Sequence, residues 1–422
     1  MNKEILRTIL LEQKQQLLMQ SNGVYRETLK DLESVMNIPH VVVVTGLRRV
    51  GKSFLLIQFF KKNNIDYYYC NFEDERFIKF NVKDFNLLYE VMVELFGEKK
   101  VFLFDEIQNI EGWERFVRRM TEYGNKFYIT GSNASMLSRE LGTRLTGRYI
   151  SINVYPFSFR EYIALYKGDF KNDDIHTTKY IAKIKSLFNN YLNDGGLPEY
   201  LVYNKNKDIL KNIYDDILYR DIIIRYKISA TQTFRELSLY LISNVSGLYT
   251  NNNLRKFLTL GSINTLKDYI GYLENTFLFF TVKQFNKSLK VQFLAPKKIY
   301  TIDIGLLNTI AFKTSIDNGK LLENLVYIEL CRRKNEIYYY KTQNGFEIDF
   351  ITRKNNIFDM IQVCWTLQDQ NTKNREIRAL VEGMKEMNIQ KALIISQDDE
   401  SHMVIDGKEI DIKPIHKWLL DL

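Results

Sequence analysis

Residues 40–53 read His40-Val41-Val42-Val43-Val44-Thr45-Gly46-Leu47-Arg48-Arg49-Val50-Gly51-Lys52-Ser53. Four consecutive β-branched valines predict a strand buried on both faces, the kind found inside a parallel sheet. The strand empties into the pattern G-x-x-x-x-G-K-[ST], and a helical periodicity follows over 52–62. Gly46 and Gly51 let the backbone curl so that amide N–H groups point inward on an anion. The start of the next helix adds partial positive charge at the same place. Lys52 is long enough to reach outer phosphate oxygens, and the Ser53 hydroxyl suits Mg²⁺. The run Gly46, Leu47, Arg48, Arg49, Val50, Gly51, Lys52, Ser53 and Phe54 is therefore the candidate cofactor-binding loop, with ATP and Mg²⁺ as the expected cofactors.

A second element fits this reading. Val101-Phe102-Leu103-Phe104 is an apolar strand that ends in Asp105-Glu106. In open α/β sheets, ligands bind outside the carboxyl ends of the strands. Asp105 is expected to hold Mg²⁺ through water, and Glu106 to polarise the attacking water as general base. A later strand ends in Thr130-Gly131-Ser132-Asn133, where Ser132 or Asn133 can orient that water; a simple turn is the alternative. Arg144 and Arg148 follow closely. Either can offset transition-state charge, in cis or from a neighbouring subunit of a homo-oligomer, and solvated surface arginines are the alternative. No Asn-Lys-x-Asp guanine-reading motif stands in a suitable place, which favours ATP over GTP.

Strands are expected at 40–45, 66–72, 101–104 and 127–130, with helices at 52–62, 85–96 and 114–123 between them. Such alternation predicts an α/β fold: a P-loop parallel sheet with helices on both faces. The expected division is N-terminal helices over 1–36, a nucleotide-binding domain over 37–155, and a helical segment over 156–230. A winged-helix-like domain over 231–305 and a small α/β domain over 306–422 complete it. In the fourth part, Ser262 is placed to cap a helix, and strand-like runs at 277–285 and 290–301 flank Asn286-Lys287-Ser288.

The bulk composition is that of an ordinary globular protein. The chain has 422 residues, 45% hydrophobic and 26% charged, enough for two or three cores. Net charge is +8, which suits an anionic partner such as DNA and equally a lysine-rich soluble surface. Lys283, Lys287, Lys290, Lys297 and Lys298 are suited to phosphate contacts, whereas Asp268 and Glu274 on the candidate recognition helix oppose them. Cys70, Cys331 and Cys364 are widely spaced in apolar stretches and read as free thiols of a reducing compartment. The first turns alternate Leu6, Ile9, Leu10 and Leu17 with charged residues, an amphipathic helix rather than a secretion signal. With no apolar run long enough to span a bilayer, the expectation is a cytoplasmic protein without a membrane partner. His40, His176, His402 and His416 form no metal-binding pattern.

Taken together, the Gly46–Ser53 loop with Arg48-Arg49, the Leu103-Phe104-Asp105-Glu106 strand end, Ile129-Thr130-Gly131-Ser132 and Gly147-Arg148 resemble the AAA-like ATPases widespread in bacteria and archaea. In that family a C-terminal domain of unknown function follows. Gly195-Gly196-Leu197-Pro198, Asp303-Ile304-Gly305-Leu306 and Glu323-Asn324 fit its pattern. The resemblance implies an ATP-binding module, a winged helix, and a tail similar to restriction-endonuclease-like nucleases. With Glu106 as base, the expected function is Mg²⁺-dependent ATP hydrolysis that drives conformational change of the C-terminal domains. A nucleotide-gated DNA- or protein-binding regulator with slow turnover is the alternative, and an ATP-dependent nuclease a further one.

In nucleases of that kind a helix glutamate, a strand aspartate and a Glu-x-Lys on the next strand hold Mg²⁺. Glu323 is the expected helix residue, and Glu347-Ile348-Asp349-Phe350 the first strand. On the second strand Gln362 stands for the glutamate and Cys364 for the lysine. A neutral amide and a thiol are poor substitutes, so the expectation is the fold without the cleavage.

Overall fold

The computed structural model describes residues 1–19, 23–132, 147–167, 177–312 and 317–422. The chain divides into two compact units, Met1–Val154 and Tyr155–Leu422.

The first unit opens with helices α1 (Lys3–Leu18) and α2 (Leu29–Ser34). Its sheet is built from β1 (Val41–Gly46), β2 (Tyr68–Asn71), β3 (Val101–Asp105), β4 (Lys126–Gly131) and β5 (Tyr149–Val154). The strands lie in the order β2-β3-β4-β1-β5, and every pairing is parallel. The connecting helices are α3 (Lys52–Lys62), α4 (Phe85–Phe96) and α5 (Trp113–Glu122). All six residues of β1 are buried, as a strand flanked by neighbours and covered on both faces requires. One side of the sheet carries an aromatic core in which Phe85 stacks on Phe116 and Phe102 on Phe127. β1 lies between β4 and β5, and Gly46 and Asp105 stand at the carboxyl ends of their strands, where ligands bind in sheets of this kind.

The second unit begins with helices α6 (Phe159–Lys167), α7 (Thr178–Asp194), α8 (Pro198–Val202) and α9 (Lys207–Asp216), the last continuing into a π-helical stretch, Ile217–Ile224. Then come α10 (Thr231–Ser243), β6 (Leu248–Tyr249), α11 (Asn251–Phe257), α12 (Ile263–Asn275), β7 (Phe279–Val282), α13 (Leu289–Leu294) and β8 (Lys297–Thr301). The strands form an antiparallel sheet in the order β6-β8-β7. Ser262 caps α12, its side chain accepting from the Asn264 N–H. The hairpin strands are shorter than the sequence suggests. Residues 289–294 turn into helix, because a run with no strand beside it must satisfy its backbone locally, and Pro296 has no N–H to extend a ladder.

After α14 (Ile304–Ile310) and α15 (Asn318–Arg332), a six-stranded sheet is built from β9 (Glu336–Lys341), β10 (Glu347–Lys354), β11 (Ile357–Val363), β12 (Lys391–Ser396), β13 (Ser401–Ile405) and β14 (Lys408–Pro414). Its order is β13-β14-β12-β11-β10-β9, covered by α16 (Gln370–Met387) and α17 (Ile415–Leu420). After α16, β12 is followed by the hairpin β13–β14, joined by Asp406 and Gly407, which both have positive φ.

Two sequence signatures meet inside this unit. The Asp303 carboxylate caps α14 by accepting from the Leu306 N–H and also accepts from the Gly196 N–H at 2.7 Å. A Cβ on Gly195 would stand 2.5 Å from Asp303 Oδ1, and one on Gly305 2.1 Å from the Asp194 carbonyl oxygen. Glycine is required at both positions for the two turns to touch. Burial pushes the Asp303 carboxyl up to about 6.

Candidate functional site

The loop between β1 and α3 is shaped by its backbone. Gly46 and Gly51 have φ of 151° and 93°, and Arg49 has φ of 61°. A Cβ on Gly46 would lie 2.3 Å from the Val154 carbonyl oxygen, so the loop starts where two strands leave no room for a side chain. Lys52 is 5% exposed, and its ammonium donates to the carbonyls of Gly46 and Leu47, both at 3.2 Å. The loop thus folds back around its own lysine. Arg48 pairs with Glu73 at 3.0 Å. Arg26, from the segment before α2, donates to the Val50 carbonyl at 3.0 Å, and Gly23 lies against the ring of Phe54.

Asp105 and Glu106 end β3 beside this loop. Asp105 is 5% exposed and hydrogen-bonds the hydroxyls of Thr130 and Ser53, while the Tyr69 hydroxyl donates to its other oxygen at 3.4 Å. Burial raises its pKa, and the neighbouring Glu106 charge adds to that rise. Glu106 takes a left-handed conformation, φ 50°, which turns its side chain back toward Lys52 at 3.7 Å. Its carboxylate also accepts from Gln108 and, at 3.4 Å, from Ser132. Burial alone would raise the Glu106 pKa, but Lys52 and the Gln108 amide outweigh it and hold the group ionised. Thr130 ties the pair together, since its hydroxyl also accepts from the Glu106 N–H at 3.0 Å. The donor set of hydroxyl and carboxylate oxygens is the one a hard cation such as Mg²⁺ prefers.

Ser132 therefore joins the loop, Asp105 and Glu106. Asn133 and Arg144 lie outside the described residues. Arg148 is not brought to the loop: its carbonyl accepts from Val41 N–H, at the first residue of β1, and it shares a pocket with Pro39, His40 and Arg118. Gly46 is at the other end of that strand, about 16 Å away at the usual rise per residue. The sequence reading assigned no role to Thr130, Gln108, Tyr69 or Arg26. Thr130 lay within a quoted run, and its place at a strand end two positions before Ser132 was the available signal.

The second set of acids also converges. Glu323 on α15, and Glu347 and Asp349 on β10, surround the ammonium of Lys298. The Gln362 side-chain oxygen accepts from Asp349 N–H at 3.2 Å, and its amide donates to Glu376 at 2.6 Å. Cys364 follows β11 and donates to the Thr366 carbonyl, its thiol pushed up to about 11 by burial. Lys298 was grouped with the hairpin lysines as a phosphate contact. It is buried and faces the carboxylates, so it is withdrawn from that surface. Glu274 likewise does not face outward from α12; it accepts from the N–H and hydroxyl of Thr281 on β7.

The parallel sheet, the glycine loop and the carboxylates at the end of β3 define a P-loop domain of the AAA class, and a family model described as an AAA domain matches residues 39–163. Two models of domains of unknown function, DUF8612 and DUF4143, match residues 185–317 and 318–418. An uncharacterized protein of Methanocaldococcus jannaschii is 33% identical over 93% of this chain and 90% of its own length. An uncharacterized protein of Haemophilus influenzae is 31% identical over 93% of this chain and 97% of its own. The chain belongs to the family of these two proteins. Among solved structures, the Walker-type ATPase of Pyrococcus abyssi is similar with a TM-score of 0.43 and 18% identity, over 68% of this chain and 95% of that one. The Thermotoga maritima RuvB Holliday junction branch migration motor is similar with a TM-score of 0.31 and 14% identity, over 61% and 89%. No helix among the described residues is long and apolar enough to cross a membrane.

Proposed function

We propose that the chain hydrolyses ATP in a Mg²⁺-dependent reaction and uses the cycle to change the conformation of its second unit. The observation that carries this reading is the ionised, half-buried Glu106, turned back to 3.7 Å from Lys52 at a strand end that also holds Asp105. A protein that only binds nucleotide has no need of a base there. Lys52 and the amides of residues 46–54 hold phosphate; Ser53 and Asp105 are the residues to hold Mg²⁺, which would screen charge on the phosphates. Glu106 takes the proton of the attacking water, and Ser132 helps fix Glu106 in place. Arg148, at the far end of β1, serves only in trans, at the loop of a neighbouring copy. If so, specific activity rises with protein concentration and falls in Arg148→Ala; a flat profile removes this role.

A second reading, a nucleotide-gated DNA binder, is favoured by one observation. The order helix, strand, helix, helix, strand, strand in α10–β8, with β8 central, is consistent with a winged helix, and Lys287 and Lys290 are exposed in the connection between β7 and β8. The withdrawal of Glu274 removes one opposing acid from α12. If this surface holds duplex DNA, Lys287→Glu with Lys290→Glu weakens binding and reduces the slope of log affinity against log salt by about two. Steady-state hydrolysis by wild type, Lys52→Ala and Glu106→Gln, with and without duplex DNA, tests both readings. Loss in both variants supports the enzyme. ATP bound through Lys52 without turnover under any condition supports the gated binder.

A further inference from the structure

Lys298 is 1% exposed, and its Nζ lies 2.9 Å from Glu323 Oε1, 2.8 Å from Glu347 Oε1 and 2.9 Å from Asp349 Oδ1. An ammonium has three N–H donors; here it donates to Glu323 and Asp349, and the Glu347 carboxylate stands within ion-pair distance. Two of the acceptors are fixed from behind. Tyr300 donates to Glu323 at 2.7 Å, and the second oxygen of Asp349 accepts from Val363 N–H at 3.0 Å. Charge is not balanced, since three carboxylates face one cation.

Carboxylate oxygens held at equal distances about one buried point are what a hard divalent cation takes, at roughly 2.3–2.6 Å for Ca²⁺ and 2.0–2.1 Å for Mg²⁺. The oxygens here stand slightly farther out, at the spacing of an N–H···O bond. We infer that Lys298 is the resident cation of this site: its ammonium fills the position of a divalent metal, so the native chain takes up no metal there and the three acids act as structure. Gln362 is consistent with this. Exchanging a strand carboxylate for an amide and a divalent ion for an ammonium each change the local charge by one, in opposite directions. The inference rests on the second unit alone and stands whether or not the loop hydrolyses ATP.

The test titrates the nucleotide-free full chain with Mn²⁺ or Ca²⁺ after chelation, reading bound Mn²⁺ by electron paramagnetic resonance and the unfolding temperature with Ca²⁺. Metal held at the loop is recognised by its loss in Asp105→Asn. Wild type is expected to hold no Mn²⁺ that Asp349→Ala removes, and to unfold at the same temperature with and without Ca²⁺. Lys298→Ala is expected to gain one Mn²⁺ per chain, to unfold at a lower temperature in chelator and to recover with millimolar Ca²⁺. Adding Asp349→Ala to that variant is expected to abolish both gain and recovery. The inference is overturned by Mn²⁺ bound to wild type and lost in Asp349→Ala, or by a folded Lys298→Ala chain that takes up no metal. Should Lys298→Ala not fold in either buffer, the wild-type titration decides alone: Asp349-dependent Mn²⁺ overturns the inference, and its absence supports it.

Discussion

Each unit places acidic residues around one buried lysine, and the two clusters are chemically opposite. Lys52 is held by two backbone carbonyls of its own loop, with one carboxylate at 3.7 Å. Lys298 is held by three carboxylates at 2.8–2.9 Å. Carbonyl dipoles position a cation without cancelling its charge, so the Lys52 ammonium stays electrostatically available to an incoming phosphate. Three carboxylates cancel the charge of Lys298 and exceed it. Burial alone would lower the pKa of Lys298, but Asp349 and Glu323 outweigh it and hold the ammonium protonated well above its usual range. A buried lysine is thus a working group or a fixed one according to what holds it.

This contrast is broken most directly by the two alanine variants. Lys52→Ala is expected to lower ATP turnover at least about a hundredfold, as loss of a transition-state contact does. Lys298→Ala is expected to destabilise the chain by about 3–5 kcal/mol in urea unfolding, because it leaves buried carboxylates uncompensated. Equal effects of both variants on both readouts would erase the distinction.

A finer probe is pH. The Glu323 carboxyl moves from an ordinary 4.5 to about 7 through burial, so the folded chain keeps a proton that the unfolded chain releases. Between those values the folded state binds more protons, and this group's contribution to stability falls as pH rises. Glu323→Gln should flatten the dependence of the unfolding midpoint over pH 4.5–7, and an unchanged slope would assign it to another group. The smallest effect concerns the loop site. Thr130→Ala removes the hydroxyl shared by Asp105 and the Glu106 backbone, and turnover should fall about tenfold with little change in KM for ATP. A rise in KM alone would mark Thr130 as a binding rather than a positioning residue.

The first unit was largely legible because its signals are local. Valines 41–44, the glycine spacing and the acids after Phe104 are each contiguous in sequence, and the sheet brings them together in the order that parallel α/β topology allows. The Asp105–Thr130 bond was not legible, since it depends on which strand lies beside β3. In the second unit the acids Glu323, Glu347 and Asp349 were named from a resemblance, yet their partner was misplaced. Lys298 follows Lys297 in a basic stretch that reads as surface, whereas in β8 Lys297 is half-buried and Lys298 fully buried, so charge alone does not tell which lysine is withdrawn from solvent. The β13–β14 hairpin was signalled by Asp406-Gly407 between alternating apolar residues, a turn cue the reading passed over.

The position of Lys298 also bears on how the chain can be divided. The two matched domains of unknown function meet between residues 317 and 318, so the ammonium falls in one and all three of its carboxylates in the other. Thr301 and Asn324 cross the same line with a reciprocal pair of hydrogen bonds at 2.8 and 3.0 Å. A fragment beginning at residue 318 would carry the six-stranded sheet with these three acids and no cation among them. The boundary drawn by sequence families therefore runs through one compact unit, and a cut that keeps the lysine with its acids has to fall before β8.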